Sequence, residues 1–302
     1  VNAERFLCAE QARARQDSIA GTAAPTRTWL LIEYRGRWPF EGFSGLDIDL
    51  ATKIDVTSAA QSVGARVLLI RRPGRVDHDR PQRWAVLTHD RDGIGRQTWG
   101  TWQGEDDLAA IPDAFEVPGQ AGLPSPLLVC THGLHDTCCA IRGRPVAAAL
   151  ADRWPELTWE CSHVGGDRFA ANLVVAPDGV YYGEVDPDQA IAVIEDQLAD
   201  RIGPEHLRGY TTLTPPQQVA VIEALRAYGP AGRYAWRVLD TARHGDRWTI
   251  HLAGRAPLPA RVEVELIAER TAAHRLTCRA HQAASVINYR PAGIRELPGV
   301  TS

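Results

Sequence analysis

Four cysteines and one histidine carry the sequence's most concentrated chemistry: Cys130, the adjacent pair Cys138 and Cys139, Cys161, and His163 two residues further on. The four thiols fall within 32 residues, and the whole chain has six cysteines in 302 residues. That is too sparse for a disulfide framework. In a reducing compartment such clustering points to metal binding or redox chemistry. Thiolates are soft donors that suit iron-sulfur clusters or zinc. Cys161 and His163 would share one face if a strand continued through them. Gly165 and Gly166 would then let the backbone pass close to a bulky inorganic group, with Asp167 and Arg168 beside it.

Each of these residues needs an element to hold it. Hydrophobic periodicity predicts a strand at Thr28 to Tyr34, a helix near Ala51 to Val63, strands at Arg66 to Arg71, Trp84 to His89 and Arg96 to Trp102, and a short helix after Gly104. A turn at 90–93 joins the last two strands. The order recurs downstream: strand Leu127 to Thr131, helix near Pro145 to Arg153, strand Leu157 to Cys161, a hairpin of Asn172 to Ala176 with Val180 to Glu184 about Pro177-Asp178-Gly179, and a helix Pro187 to Arg201. This reads as an internal duplication of a thioredoxin-type unit. In the second copy the thiols sit at one edge, where strands end and a helix begins. The corresponding positions of the first copy, Glu33-Tyr34 and Arg71 to Gly74, carry neither cysteine nor histidine.

The remaining chain reads as a linker over 203–214, a helix Pro215 to Tyr228, and a β-rich tail with strands near Tyr234 to Ala242, Arg247 to Leu252, Arg261 to Ala268 and Arg275 to Arg279. The expected fold is α/β: a thioredoxin-like repeat without ligands over 1–120, a ligand-bearing repeat over 121–203, and a smaller α+β domain over 204–302. Cys8 and Cys278 stand alone in this reading, as packed or surface thiols.

Composition narrows the function classes. Charged residues make up 23% and the formal net charge is −4, which leaves no basic field for nucleic acid. Apolar runs are strand-sized, so no membrane span is expected. Asn2 to Arg15 is charged and mixed, unlike a secretory signal, and the chain is expected in the cytoplasm. Neither a dinucleotide-binding glycine fingerprint nor a phosphate loop occurs.

The run Cys130-Thr131-His132-Gly133-Leu134-His135-Asp136-Thr137-Cys138-Cys139, with Cys161-Ser162-His163-Val164-Gly165-Gly166-Asp167-Arg168-Phe169-Ala170-Ala171-Asn172 and Pro177-Asp178-Gly179-Val180-Tyr181-Tyr182-Gly183, resembles the sucrase/ferredoxin-like family. Ala20-Gly21-Thr22-Ala23 and Arg66 to Gly74 resemble it too. The resemblance implies a thioredoxin-like [2Fe-2S] ferredoxin with its first ligands at Cys130 and Cys139. Relatives place a His-x3-His or Cys-x3-Cys pair where this chain has His163 and Asp167. Because thiolate is softer than carboxylate, the expected set is Cys130, Cys139, Cys161 and His163, with Cys138 and Asp167 as substitutes. The implied role is one-electron transfer, fed by a separate flavoprotein or other reductase and coupled to a proton through the histidine. A zinc-organised binding protein and a thiol-disulfide oxidoreductase working through Cys138 and Cys139 are the competing readings. A sucrase would need a pair of positioned carboxylates, which the sequence does not single out.

Overall fold

A computed structural model describes residues 6–74, 79–90 and 93–298. The first half of the large sheet and its helices comprise α1 (Cys8–Arg15), β1 (Thr28–Glu33), α2 (Leu50–Ser62), β2 (Arg66–Arg71), β3 (Gln82–His89), β4 (Gly95–Trp102), α3 (Ile111–Ala114) and the two-residue β5 (Gln120–Ala121). The second comprises β6 (Leu127–Cys130), α4 (Thr137–Arg153), β7 (Thr158–Cys161), β8 (Leu173–Val175), β9 (Val180–Tyr182) and α5 (Pro187–Leu198). There follow β10 (Leu207–Tyr210), α6 (Pro215–Tyr228), β11 (Trp236–His244), β12 (Arg247–Gly254), β13 (Val262–Arg270) and β14 (Ile287–Glu296). The expected turn at 90–93 includes Arg91 and Asp92, which lie outside the described residues.

Ten strands form one mixed sheet, in the order β10-β9-β8-β6-β7-β2-β1-β3-β4-β5. Pairing repeats within it. β1 runs parallel to β2 and antiparallel to β3, which pairs antiparallel with β4. In the same way β6 runs parallel to β7 and antiparallel to β8, which pairs antiparallel with β9. The halves meet where β2 and β7 pair antiparallel, Ile70 opposite Cys161. The sheet passes through both expected domain limits, 120/121 and 203/204, because β10 adds to its edge.

Strand alternation decides what each face buries. Leu127 and Val129 enter a core with α4 and α5, while Leu30 and Ile32 pack with α2. Leu128, Cys130, Trp159, Cys161, Trp29 and Leu31 face the opposite side. There the sheet curls on itself: Trp99 of β4 stacks on Trp159 of β7 at 6.1 Å. This inner core takes in Cys8, Cys130, Cys138, Cys139 and Cys161, and Cys278 packs against it.

Three elements differ from the sequence expectation. α4 starts at Thr137, well before Pro145, because the Asp136 carboxylate caps it by accepting from Cys138 N at 2.8 Å. Pro145 is carried inside the helix. The carbonyl it leaves without its helical partner belongs to Ile141, an exposed residue on the solvent side of the helix. The expected linker contains β10, a bulged strand whose register shifts between Leu207 and Gly209; the bulge and Gly209 hid the alternation. The expected strand at 275–279 is coil, and the fourth strand of the second sheet is β14. β14 lies at the sheet edge, where Pro291 costs no shared hydrogen bond. That antiparallel sheet, β11-β12-β13-β14, packs on α6. α6 is buried along most of its length because it also packs on β10.

Candidate metal centre

Cys130 ends β6, held by Cys130 N donating to Asn172 O at 3.0 Å, and the chain turns back through 131–136. His135 N and Asp136 N both donate to His132 O, at 3.1 and 3.0 Å, which closes the turn and delivers Asp136 to cap α4. Cys138 and Cys139 therefore occupy the first turn of α4, and their side chains diverge around it.

Cys139 reaches Cys130. The interaction of the two side chains lowers the Cys130 pKa despite complete burial, while the same interaction and burial raise that of Cys139. Cys139 Sγ also lies 3.3 Å from Asp167 Oδ1. Asp167 is held by a short 3-10 turn, Asp167–Phe169, and its Oδ1 lies 2.9 Å from His163 Nδ1. Burial pushes the Asp167 carboxyl up, but hydrogen bonds from His163 and Cys139, with the charge of His163, bring it below its usual value. The contacts thus run in series: Cys130, Cys139, Asp167, His163. His135 stacks on His163 at 3.7 Å between ring centroids, with its Nε2 3.9 Å from Asp167 Oδ2. The thiols are buried, and the two imidazoles are partly exposed.

Cys161 lies beside the series in the same core. It is fully buried in register beside Cys130, burial raises its pKa, and among the described residues no hydrogen bond joins its sulfur to Cys130, Cys139 or His163. The strand ends at Cys161, so His163 turns outward and the two do not act as one pincer. Arg168 lies against Asp17, Nε to Oδ2 at 3.7 Å, and over the Phe169 ring.

Cys138 points away from Cys139 toward Cys8 and Cys278, which are not the isolated thiols expected from sequence. A hydrogen bond from Cys8 outweighs partial burial and lowers Cys138 to about 6. Only the cysteine count hinted at this grouping, since its members are far apart in sequence. His135 was likewise visible as a residue type, but its stacking depends on the 131–136 turn.

The chain belongs to the sucrase/ferredoxin-like family, whose sequence model matches residues 19–209. The match covers α/β elements from before β1 to β10 and includes every residue of the Cys130 to His163 series. No curated protein and no solved structure matches the chain. Among the described residues no helix is long and apolar enough to cross a membrane.

Proposed function

We propose that the chain is a one-electron carrier holding a [2Fe-2S] cluster at Cys130, Cys139, His163 and Asp167, with Asp167 in the place expected for Cys161. The observation that carries this reading is the serial contact from the buried thiol pair to the imidazole and carboxylate, 3.3 Å and then 2.9 Å. Two thiolates side by side suit one iron, and a nitrogen and an oxygen donor suit the other. An elongated donor set fits a dinuclear group better than a single ion.

Such a group supplies a reversible one-electron couple. The curled sheet keeps water from Cys130 and Cys139, while the His163 ring is partly exposed to solvent. His135, stacked on His163, limits that ring's rotation. The matching strand order of the two halves supports a pair of thioredoxin-like units, the first acting as scaffold for the second. Electrons would come from a separate reductase in the cytoplasm.

The test is anaerobic purification with iron and sulfide analysis and electron paramagnetic resonance of the reduced protein. About two irons and two sulfides per chain are expected, with the signal lost in Cys130→Ser and Cys139→Ser, altered in Asp167→Ala and retained in Cys161→Ser. Colourless protein with zinc at these residues would overturn the proposal. Loss of the signal in Cys161→Ser with retention in Asp167→Ala would return the fourth ligand to Cys161.

A further inference from the structure

Three of the four cysteines outside that series converge from distant parts of the chain. Cys8 opens α1, Cys138 lies in the first turn of α4, and Cys278 lies in the coil between β13 and β14. Their sulfurs approach closely: Cys138 to Cys278 at 3.4 Å and Cys8 to Cys278 at 3.6 Å. Both carboxylate oxygens of Asp136 lie 3.6 Å from Cys8 Sγ. All four donor atoms lie within 4.8 Å of one another. Asp136 is fully buried, and Cys278 N donates to its Oδ2 at 2.6 Å.

We propose that Cys8, Cys138, Cys278 and Asp136 form a second, mononuclear metal site of the zinc class, separate from the Cys130 series. The edges of the group have the size one ion requires. Bonds of about 2.3 Å to sulfur and about 2.0 Å to oxygen, arranged tetrahedrally, set sulfur-sulfur edges of about 3.8 Å and sulfur-oxygen edges of about 3.5 Å. The sulfur-sulfur edges of 3.4 and 3.6 Å fall slightly below the first value, and the sulfur-oxygen edges of 3.6 Å lie slightly above the second. Among the described residues Cys130 and Cys139 belong to no such compact set, whereas His163 and Asp167 form one with His135, so the thiol-rich group is distinct from the Cys130 series. Three thiolates with one carboxylate select a borderline-soft divalent ion over calcium or magnesium.

Asp136 keeps donor capacity for an ion. Each carboxylate oxygen has two lone pairs, and the backbone N–H groups of Cys138 and Cys278 take one on each. Those bonds orient the carboxylate, as outer partners do for metal ligands. A disulfide accounts for less, because it would leave a third thiol and a buried carboxylate beside it unexplained. The ion would tie α1 and the 271–286 coil to the helix turn that carries Cys139.

This inference does not depend on the iron-sulfur reading, and one experiment separates them. Cobalt(II) is titrated into the reduced, metal-free full chain in a Cys130→Ser background, so that only the second site offers several thiolates. One cobalt per chain is expected, with a thiolate-to-cobalt charge-transfer band and strong tetrahedral visible bands. Adding Cys278→Ser or Cys8→Ser should weaken binding at least about tenfold, whereas Cys161→Ser should not. In the otherwise unaltered chain, a strong chelator should lower the melting midpoint, zinc should restore it, and Cys278→Ser should abolish that response while retaining any iron. Cys278 is only half-buried whereas Cys8 is fully buried, so Cys278→Ser is the variant expected to keep the fold. A cobalt band indifferent to Cys278→Ser, no cobalt bound, or a Cys138 to Cys278 disulfide in protein purified without oxidant would each overturn the proposal.

Discussion

Arg208 shows how one residue can fix a site it does not belong to. It is 2% exposed, and every hydrogen bond it makes goes to a neutral acceptor. Nε donates to Thr22 Oγ1 at 3.0 Å and one terminal nitrogen to Thr22 O at 2.6 Å; the other donates to Gly165 O at 2.9 Å and Asn172 Oδ1 at 2.7 Å. Burial lowers its pKa to about 10, so it stays charged at neutral pH. The paired glycines are explained here. Gly166 has φ +77, and a Cβ there would overlap the guanidinium, so the space that the sequence suggested for an inorganic group is taken by an arginine. Arg208→Met leaves two carbonyls and an amide oxygen unpaired in the interior and should cost about 3 kcal/mol, read as a lower urea midpoint. The 3-10 turn bearing Asp167 follows directly, so the variant should also disturb any signal that depends on Asp167.

At the scale of elements, α4 must lie close against β6 for Cys139 to reach Cys130. Gly143 permits this: a Cβ at that position would overlap Cys130 O, and backbone cannot move aside as a side chain can. Gly143→Ala should therefore destabilise by about 2–3 kcal/mol although alanine favours helix, and should separate the thiols. Ala140→Gly, a neighbouring control, should lose only about 1 kcal/mol, and urea denaturation of both variants distinguishes contact from propensity. Sequence showed most strands, and the recurring strand order of the two halves, because alternation and turn residues are local. It missed the start of α4, because Pro145 is a strong start signal and Asp136 a quiet one. β10 was hidden by its bulge and by Arg208, a buried cation in a segment that looked polar. The thiol cluster was half legible: Cys130 and Cys139 are near neighbours, whereas Cys8 and Cys278 meet Cys138 only through the tertiary fold.

At the scale of the molecule, the curl of the ten-stranded sheet brings its two halves together away from the β2 and β7 seam. His89, at the end of β3, is 5% exposed, and its Nδ1 lies 3.2 Å from Pro177 O in the turn between β8 and β9. Burial lowers the His89 pKa from 6.5, the positive charges of Arg233 and Arg27 add to this, and the contact with Pro177 and the charge of Asp90 oppose it. The folded protein therefore favours the neutral ring more than the unfolded chain does. The resulting stability is present above the unfolded value of 6.5 and is lost as the pH falls from there through the lower folded value. Acidification should thus loosen the contact between the halves, with Arg233 repelling the newly charged ring. Urea midpoints at pH 7.5 and pH 5.5 test this, because His89→Gln keeps a donor for Pro177 O but cannot titrate. The loss on acidification should be smaller in His89→Gln than in the unaltered chain, and equal losses would assign the acid sensitivity to other groups.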